Sequence, residues 1–371
     1  MADTEIDKLR LVRSEGVGPV TYSRLLARFG SATAALEALP RLAKAGGRPT
    51  PPAIPAPGEA RREIDQTRKI GGRLMFLDDP DYPPLLAMLD DAPPCLAVAG
   101  DPAALSAKAV AIVGGRNASA NGQRVAEALA TDLARSLVVV SGLARGIDTA
   151  AHEGALRTGR TVAATAGGLD VPYPAENADL QRRIALAGAV ITEAPPGTEP
   201  QSRHFPRRNR IIAGLSLGVV VVEAAPRSGS LITARIAQDA GREVFAVPGS
   251  PLDPRSRGAN DLLRQGAILT ETADDVLGNL PQIPDSEPPF PGFQEPAPPW
   301  PEPPERPDDL VRARTQVLEL LSPTPTKVDD LVRRCQFSLP AVMAVLLELE
   351  LAGRVETLPG SRVALLFDTA S

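Results

Sequence analysis

The stretch AVAIVGGRNASANGQRVAEALATDLARSLVVVSG (residues 109–142) contains one complete strand–helix–strand repeat. AVAIV and LVVV are apolar at successive positions, which predicts strands that are buried on both faces. The segment between them, GQRVAEALATDLARS, has the apolar spacing of an amphipathic helix. Strands of this kind, joined through a helix, are typical of a parallel sheet with helices on both sides. The stretch therefore predicts a doubly wound, Rossmann-like α/β fold.

The same alternation continues along the chain. Further apolar runs read TVAATAGG, AVITEA, LGVVVVEA, REVFAVPG and AILTE, and helical patterns such as IDTAAHEGALRTG and SLITARIAQDAG lie between them. Two earlier runs, RLMFL and CLAVAG, are expected to add strands at one edge of the sheet. We therefore assign residues 73–280 to the Rossmann-like domain.

Composition indicates how the rest of the 371-residue chain is organised. Residues 281–308 contain twelve prolines, and six acidic residues against one arginine give them a net charge of -5. Proline at this density disfavours helices and sheets, so the segment is predicted to be an extended acidic linker. The whole chain also has a net charge of -5, so the remainder sums to zero and can carry a local basic patch.

The pattern of residues 309–371, three helices followed by a hairpin, predicts a C-terminal winged-helix domain. Its third helix, SLPAVMAVLLELELAG, contains Glu348 and Glu350 and no lysine or arginine before Arg354. A helix that reads DNA needs donors to phosphates and bases. We therefore favour packing or docking of a partner as the role of this domain.

Residues 1–72 are predicted to form an N-terminal helical domain. The turn GVGP at residues 16–19 lies between two apolar helical patterns and resembles a helix-hairpin-helix (SAM-like) unit. The backbone amides of such a turn can contact nucleic acid, but a single copy favours a packing role.

Several classes of protein are disfavoured by composition. No apolar run approaches the ~20 residues of a membrane span, and the N-terminus lacks a signal-peptide pattern. The cysteines, Cys95 and Cys335, lie far apart, and His152 and His204 are the only histidines. A metal site is therefore not expected. These features predict a cytoplasmic protein without a membrane span or structural metal.

In doubly wound sheets, ligands bind beyond the carboxyl ends of the strands. Most of the loops expected there are rich in glycine and serine, whose backbone amides can approach an anion closely. The sequence SGS before LITARIAQDA also directs a helix N-terminus to this rim. Arginines lie in or beside the same loops: Arg116, Arg145, Arg203, Arg207, Arg208, Arg210 and Arg227. The rim is therefore predicted to bind anions.

Four of these arginines fall within eight residues of the stretch SRHFPRRNRIIAGLS (202–216). A structural loop held by ion pairs is one interpretation, but the nearest acids in sequence are Glu199 and Glu223, so partners would have to come from elsewhere. Anion binding is the interpretation we favour. Phe205 among the arginines favours nucleic acid over a lone phosphate, because its ring can stack on an unpaired base. Contacts to phosphate carry no sequence information directly, so only slight sequence preference is expected.

Other ligands and activities fit less well. The first strand-to-helix turn lacks the G-x-G-x-x-G spacing of a dinucleotide site, and no G-x-x-x-x-G-K-[ST] phosphate loop is present. Asp148 and His152 share a helix face, but an N-terminal acid and a hydrogen-bonded structural histidine explain them without catalysis. The alternative function is a nucleotide-processing hydrolase similar to the phosphoribohydrolases, whose PGGxGTxxE signature is missing here.

The blocks AIVGGRNAS, SGLARGIDTAAHEGAL, AGGLDVPYPAEN, HFPRRNRIIAGLS, VVVEAAPRSGSLITARIAQDAGREVFAVPG and GANDLLRQGA together resemble the DNA-processing protein A (DprA/Smf) family. The resemblance implies a non-enzymatic protein, without a cofactor, that binds single-stranded DNA during natural transformation. It also implies that the protein protects incoming strands, loads the RecA recombinase onto them, and forms a homodimer through the Rossmann-like domain.

The site residues that the pattern and the resemblance predict together are Arg116, Arg203, His204, Phe205, Arg207, Asn209, Arg210, Ser228, Gly229 and Ser230. Arg116, Arg203, Arg207 and Arg210 are expected to contact phosphates, and Phe205 is expected to stack on a base. Relatives commonly have serine or threonine where this chain has Gly115, so one hydroxyl contact is expected to be lost.

Overall fold

The computed structural model describes residues 4–281, 307–358 and 360–366. These residues belong to two compact units. One unit contains residues 63–281, and the other combines residues 4–62 with those from 307 onward. The predicted proline-rich linker lies almost entirely outside the described residues, and the four-part division of the chain stays a prediction.

Helices and strands alternate from α4 (Pro57–Lys69) to α13 (Ala273–Leu277), and four helices in succession form the described N-terminal part of the chain. The α-helices are α1 Glu5–Val12, α2 Pro19–Phe29, α3 Ala32–Ala45, α4 Pro57–Lys69, α5 Pro84–Ala87, α6 Ala103–Ser106, α7 Ala120–Leu133, α8 Ile147–Thr158, α9 Ala178–Ala187, α10 His204–Leu215, α11 Gly229–Asp239, α12 Arg257–Arg264, α13 Ala273–Leu277, α14 Pro307–Leu320, α15 Val328–Arg334 and α16 Leu339–Leu351. The strands are β1 Gly72–Phe76, β2 Cys95–Gly100, β3 Ala109–Val113, β4 Val138–Ser141, β5 Thr161–Ala164, β6 Ala189–Thr192, β7 Gly218–Val221, β8 Glu243–Ala246, β9 Ile268–Leu269, β10 Thr326–Lys327, β11 Val355–Leu358 and β12 Arg362–Leu365.

The larger unit is built on a nine-stranded sheet in the order β1-β2-β6-β5-β4-β3-β7-β8-β9. The strands from β6 to β9 in this order are parallel to their neighbours. RLMFL and CLAVAG form β1 and β2, which add to one edge in antiparallel pairing. The prediction of a doubly wound sheet is therefore confirmed.

Each central strand packs against helices on both of its faces. In β3, Ala111 and Val113 belong to the core that includes residues of α10 and α11. Val110 and Ile112 belong to the opposite core, which includes residues of α7 and α8. This two-sided burial explains why the strand sequences are continuously apolar rather than alternating.

The order of the strands fixes where a ligand can enter. From β3 the chain winds outward through β4, β5 and β6, and then returns to the other side of β3 as β7. The direction of winding thus reverses between β3 and β7. Ligands of open α/β sheets bind in the crevice beyond the strand ends at such a switch point. Here the loops that follow β3 and β7 border that crevice.

In the smaller unit, the winged helix packs against the N-terminal helices. The strands β10, β12 and β11 form its sheet, and the third helix of the winged helix is α16. Leu347 and Leu351 of α16 share one apolar core with residues of α1, α2 and α3. A Cβ at Gly46 would overlap the carbonyl oxygen of Glu348, so glycine at this position lets the two backbones approach closely.

The helix-hairpin-helix turn also lies against α16. Gly16, with a φ of +79°, is close enough that a Cβ there would be 3.5 Å from the carbonyl oxygen of Leu351. Arg24 forms an ion pair with Glu350 at 3.4 Å across the same contact. The helix-hairpin-helix turn and α16, the two elements of the terminal domains that could have contacted DNA, therefore pack against each other, with Gly16 itself left exposed. This agrees with the packing role expected from the absence of basic residues in α16.

Across the described residues, we find no helix with the length and apolar character that a membrane crossing requires.

Candidate nucleic-acid interface

A pocket of about 600 Å³ lies at the switch point of the sheet. The loop after β3, the first turns of α10 and the turn that begins α11 form its walls. Six of the predicted site residues line it: Arg116, Phe205, Asn209, Ser228, Gly229 and Ser230. Three stretches that are far apart in sequence therefore meet in one pocket, as the carboxyl-end rule predicts.

Arg116 and Phe205 form a stacked pair at this pocket. The guanidinium carbon of the exposed Arg116 lies 4.6 Å from the centre of the Phe205 ring. This distance is typical of a cation–π interaction. The loop that carries Arg116 is held to β7, because the backbone amide of Gly115 donates to the carbonyl oxygen of Glu223 at 2.6 Å.

The turn before α11 places backbone amides on the opposite wall. The side chain of Ser228 caps the helix by accepting a hydrogen bond from the Ser230 amide at 3.4 Å, and the two hydroxyls are 2.8 Å apart. The amide of Asn209 donates to the carbonyl oxygen of Gly229 at 3.3 Å and so couples α10 to this turn. An N-terminus of this kind attracts negative charge through its amides and its dipole.

Arg227 follows Pro226 at the rim of the pocket with a left-handed backbone. Its φ is +67°, a backbone conformation that residues other than glycine rarely adopt. Its side chain is exposed. The sequence predicted a rim position for this arginine, and the structure places it on the pocket lining.

Arg208 also lines the pocket, but its side chain is buried. Its guanidinium donates to the carbonyl oxygens of Gly142 at 2.5 Å and Ala164 at 2.6 Å, which lie just after β4 and at the end of β5. Burial lowers the pKa of Arg208 to about 10, although the nearby Asp148 raises it, so the group stays protonated near neutral pH. Arg208 therefore ties strand ends together and places a positive charge beneath the pocket.

Arg210 does not lie on the pocket lining, and the phosphate contact predicted for it conflicts with its surroundings. Only 6% of its side chain is exposed, and its guanidinium is 2.6 Å from Glu193 Oε1 and 3.6 Å from Asp91 Oδ2. Its charge is thus already paired and largely desolvated, as in a structural ion pair. The sequence left open that these arginines form structural ion pairs with acids from elsewhere in the chain. For Arg210 that acid is Glu193, just after β6.

The remaining predicted residues lie near the start of α10, outside the pocket lining. Arg203 and Arg207 are exposed, and Arg207 is 3.6 Å from the second carboxylate oxygen of Glu193. His204 accepts a hydrogen bond at Nδ1 from the amide of Gln201 at 3.2 Å. Burial, with repulsion from Arg203 and Arg207, lowers the pKa of His204. These residues form a basic edge beside the pocket.

His152 is a structural residue, as its position on α8 indicated. It is fully buried, and its Nδ1 is 2.7 Å from the hydroxyl of Thr161, which itself donates to the carbonyl oxygen of Val139. Nδ1 must then carry the proton, and the pKa of His152 is lowered to about 3, chiefly by burial and also by Arg208. Asp148, one turn earlier, has a raised pKa because burial outweighs the attraction of Arg208.

Sequence reasoning missed Tyr173. Its ring centre is 5.6 Å from that of Phe205 at an angle of 58°, and 49% of the residue is exposed. The only available signal was an aromatic residue just after AGGLD, one of the loops at the strand ends.

Arg145, another predicted rim residue, donates two hydrogen bonds of 2.8 Å to the carboxylate of Glu176.

These features define a Rossmann-like protein with a pocket, lined by arginines and by the N-terminus of α11, at the switch point of its sheet. The family model described as DNA recombination-mediator protein A matches residues 73–281. The models described as the DprA-like N-terminal HHH domain and the DprA winged helix domain match residues 2–65 and 301–361. The chain belongs to the DNA-processing protein A (DprA/Smf) family.

Relatives and solved structures agree with this assignment. Protein Smf of Escherichia coli is 39% identical over 83% of this chain and 84% of its own length. The DNA processing protein DprA of Streptococcus pneumoniae is 48% identical over 55% of this chain and 73% of its own length. A crystal structure of DprA from Streptococcus pneumoniae has a TM-score of 0.64 at 37% identity and covers 76% of this chain and 100% of that chain. The structure of Helicobacter pylori DNA processing protein A, which addresses that protein's single-stranded DNA binding mode, has a TM-score of 0.51 at 31% identity. It covers 55% of this chain and 94% of that chain.

Proposed function

We propose that this chain binds single-stranded DNA in the pocket at the switch point and acts as a non-enzymatic recombination mediator. The observation that carries the proposal is the stacked pair of Arg116 and Phe205, 4.6 Å apart, facing the serine-capped N-terminus of α11. One wall offers a cation and an aromatic ring, and the other offers backbone amides. This combination matches a strand that presents phosphates and unpaired bases together.

The residues divide by chemistry. Arg116, and Arg203 and Arg207 at the basic edge, neutralise phosphates, and Phe205 stacks on a base. The turn Ser228–Ser230 supplies hydrogen-bond donors to the strand, and Asn209 holds that turn in place. We no longer assign a phosphate contact to Arg210, because its charge is paired with Glu193. A single strand is favoured over a duplex because a stacking ring needs an exposed base face.

The wider role of this family suggests three further steps for this chain. We propose that it protects incoming strands, loads the RecA recombinase onto them, and acts as a homodimer. For the dimer, the edge strand β9 and the neighbouring α13 offer Leu269, which is 51% exposed, and Leu277, which is 40% exposed. Apolar side chains beside an unpaired strand edge suit a self-complementary contact. Leu269→Glu should then give a monomer in sedimentation, whereas Leu186→Glu, at another exposed leucine, should not.

Fluorescence anisotropy with a labelled single-stranded oligonucleotide and its duplex tests the main proposal. Arg116→Ala should weaken binding to the single strand and reduce the slope of log K against log salt by about 0.7, the value for one lost phosphate contact. Arg182→Ala is a matched control, because Arg182 is an exposed arginine outside the pocket. Equal slopes for Arg116→Ala and the parent, or a preference for the duplex, would contradict the proposal.

The hydrolase alternative is tested separately. The parent protein is incubated with nucleoside monophosphates, and the released base is measured. Release of base that is sustained and proportional to protein, without binding of single strands, would show that the hydrolase alternative is correct instead.

RecA loading is tested by the rate of RecA filament assembly on strands coated with single-strand-binding protein. The parent should accelerate assembly, and Arg116→Ala should not.

A further inference from the structure

Tyr173 is an exposed aromatic residue beside the Arg116–Phe205 pair. Its ring contacts Phe205 at 5.6 Å, yet 49% of the residue remains accessible to solvent. Large rings in a well-packed domain usually bury most of their surface. A half-exposed ring next to a binding pocket is thus a candidate for contact with the ligand.

The loop that carries Tyr173 is anchored by buried polar side chains. The amide of Asn177 donates to the carbonyl oxygen of Leu143 and to the hydroxyl of Thr149, both at 2.9 Å. The amide of Gln181 donates to the carbonyl oxygen of Leu169 at 2.8 Å. These bonds fix the loop on both sides of the tyrosine. The ring is therefore exposed on a backbone that is already fixed, so the loop needs little further ordering when a ligand binds.

The geometry of the two rings decides how they could be used. Their centres are 5.6 Å apart and their planes are inclined by 58°, so the pair is too close and too tilted to hold one base between parallel faces. Each ring can instead offer a face to a different base. Because Arg116 stacks on Phe205, the three side chains form a continuous series that leads away from the pocket.

We propose that Tyr173 is a second stacking platform, which receives the base adjacent to the one at Phe205. The inference rests on the proposed binding of single-stranded DNA and adds a direction to it, because the strand then leaves the pocket past Phe205 toward Tyr173. Stacking on an aromatic ring does not depend on base identity. This subsite should therefore add affinity without adding sequence preference.

A supporting role is the alternative explanation, in which Tyr173 only holds Phe205 in place. Two substitutions separate these roles. Tyr173→Phe keeps both the contact and the platform, whereas Tyr173→Leu keeps apolar packing and removes the aromatic face. With normal single-stranded DNA, Tyr173→Leu should bind roughly 5- to 160-fold more weakly, and Tyr173→Phe should bind like the parent. The salt slope should be unchanged in both, because stacking releases no counterions from phosphate.

An oligonucleotide of abasic residues supplies the second comparison. It keeps the phosphates and lacks the bases, so the parent and Tyr173→Leu should bind it equally. If Tyr173→Leu weakens the abasic and the normal strand by the same factor, the tyrosine contributes nothing to base stacking and the inference is wrong. If the parent binds neither strand, the proposed function itself fails, and that outcome is recognisable before any substitution is compared.

Photocrosslinking gives a readout that does not depend on affinity. Oligonucleotides containing 5-iododeoxyuridine are irradiated with the full-length protein, and the crosslinked tryptic peptides are identified by mass spectrometry. Cleavage after Arg160 and Arg182 gives a peptide, residues 161–182, in which Tyr173 is the only aromatic residue. A crosslink on that peptide, lost in Tyr173→Leu, is the expected result. Crosslinks confined to the peptide that contains Phe205 would overturn the inference.

Discussion

Replacing Arg210 with alanine should destabilise the Rossmann-like domain while leaving the salt dependence of DNA binding unchanged. The side chains of Arg210 and Glu193 are 6% and 14% exposed, and they are 2.6 Å apart. Removing the arginine leaves the Glu193 carboxylate largely buried without its main partner, which typically costs about 3–5 kcal/mol. Arg207 lies 3.6 Å from the same carboxylate and can partly compensate, so the lower value, about 3 kcal/mol, is expected.

Thermal unfolding measures this effect. For a domain of about 200 residues, each kcal/mol shifts the Tm by about 2–4 °C, so Arg210→Ala should lower the Tm by about 6–12 °C. Arg182→Ala removes an arginine from an exposed pair with Asp179 and should change the Tm very little. Equal shifts for the two variants would refute the burial argument. A salt slope for Arg210→Ala that is about 0.7 smaller than that of the parent would show instead that this arginine contacts a phosphate.

Three further predictions concern single positions. Gly115→Ser should fold normally and bind DNA at least as tightly as the parent by anisotropy, because a Cβ there meets only the Glu223 carbonyl oxygen, at 3.5 Å, and the hydroxyl adds a donor. Gly46→Val should expose the smaller unit to limited proteolysis, since the new side chain would overlap the Glu348 backbone; a cleavage pattern like that of the parent would contradict this. Stability to urea should fall as the pH drops from 6.5 toward 3, by at most about 1.4 kcal/mol per pH unit from His152, because the unfolded chain binds a proton there that the folded protein excludes. His152→Gln should show a shallower fall, and an identical pH profile would exclude this histidine as a cause.

The sheet was predictable because its strands are apolar at successive positions, as burial on both faces requires. AVAIV in β3 is apolar at every position, and the structure buries alternate residues in two different cores. The position of the site followed from the same pattern, since loops at the strand ends meet at the switch point. Local composition therefore contained enough information for the fold of the larger unit and for the general position of the pocket.

The roles of individual arginines were not predictable in the same way. Arg208 and Arg210 are two residues apart, and both are buried, but one ties together strand ends and the other pairs with Glu193. Their partners come from other strands, so the arrangement depends on tertiary packing that spacing along α10 does not encode. Tyr173 was missed for a similar reason, because the exposure of a ring depends on how its loop is anchored.

The contact between α16 and the N-terminal helices has a consequence for biosynthesis. Leu347 and Leu351 complete the apolar core around residues of α1, α2 and α3, yet the ribosome makes them roughly 300 residues later. Until then, the N-terminal helices carry an uncovered apolar face, which is a target for chaperones and proteases. Chains that stop before α16 should therefore be degraded or aggregate even when the sheet domain has folded. Synthesis of α16 would thus be required before the N-terminal helices can complete their apolar core.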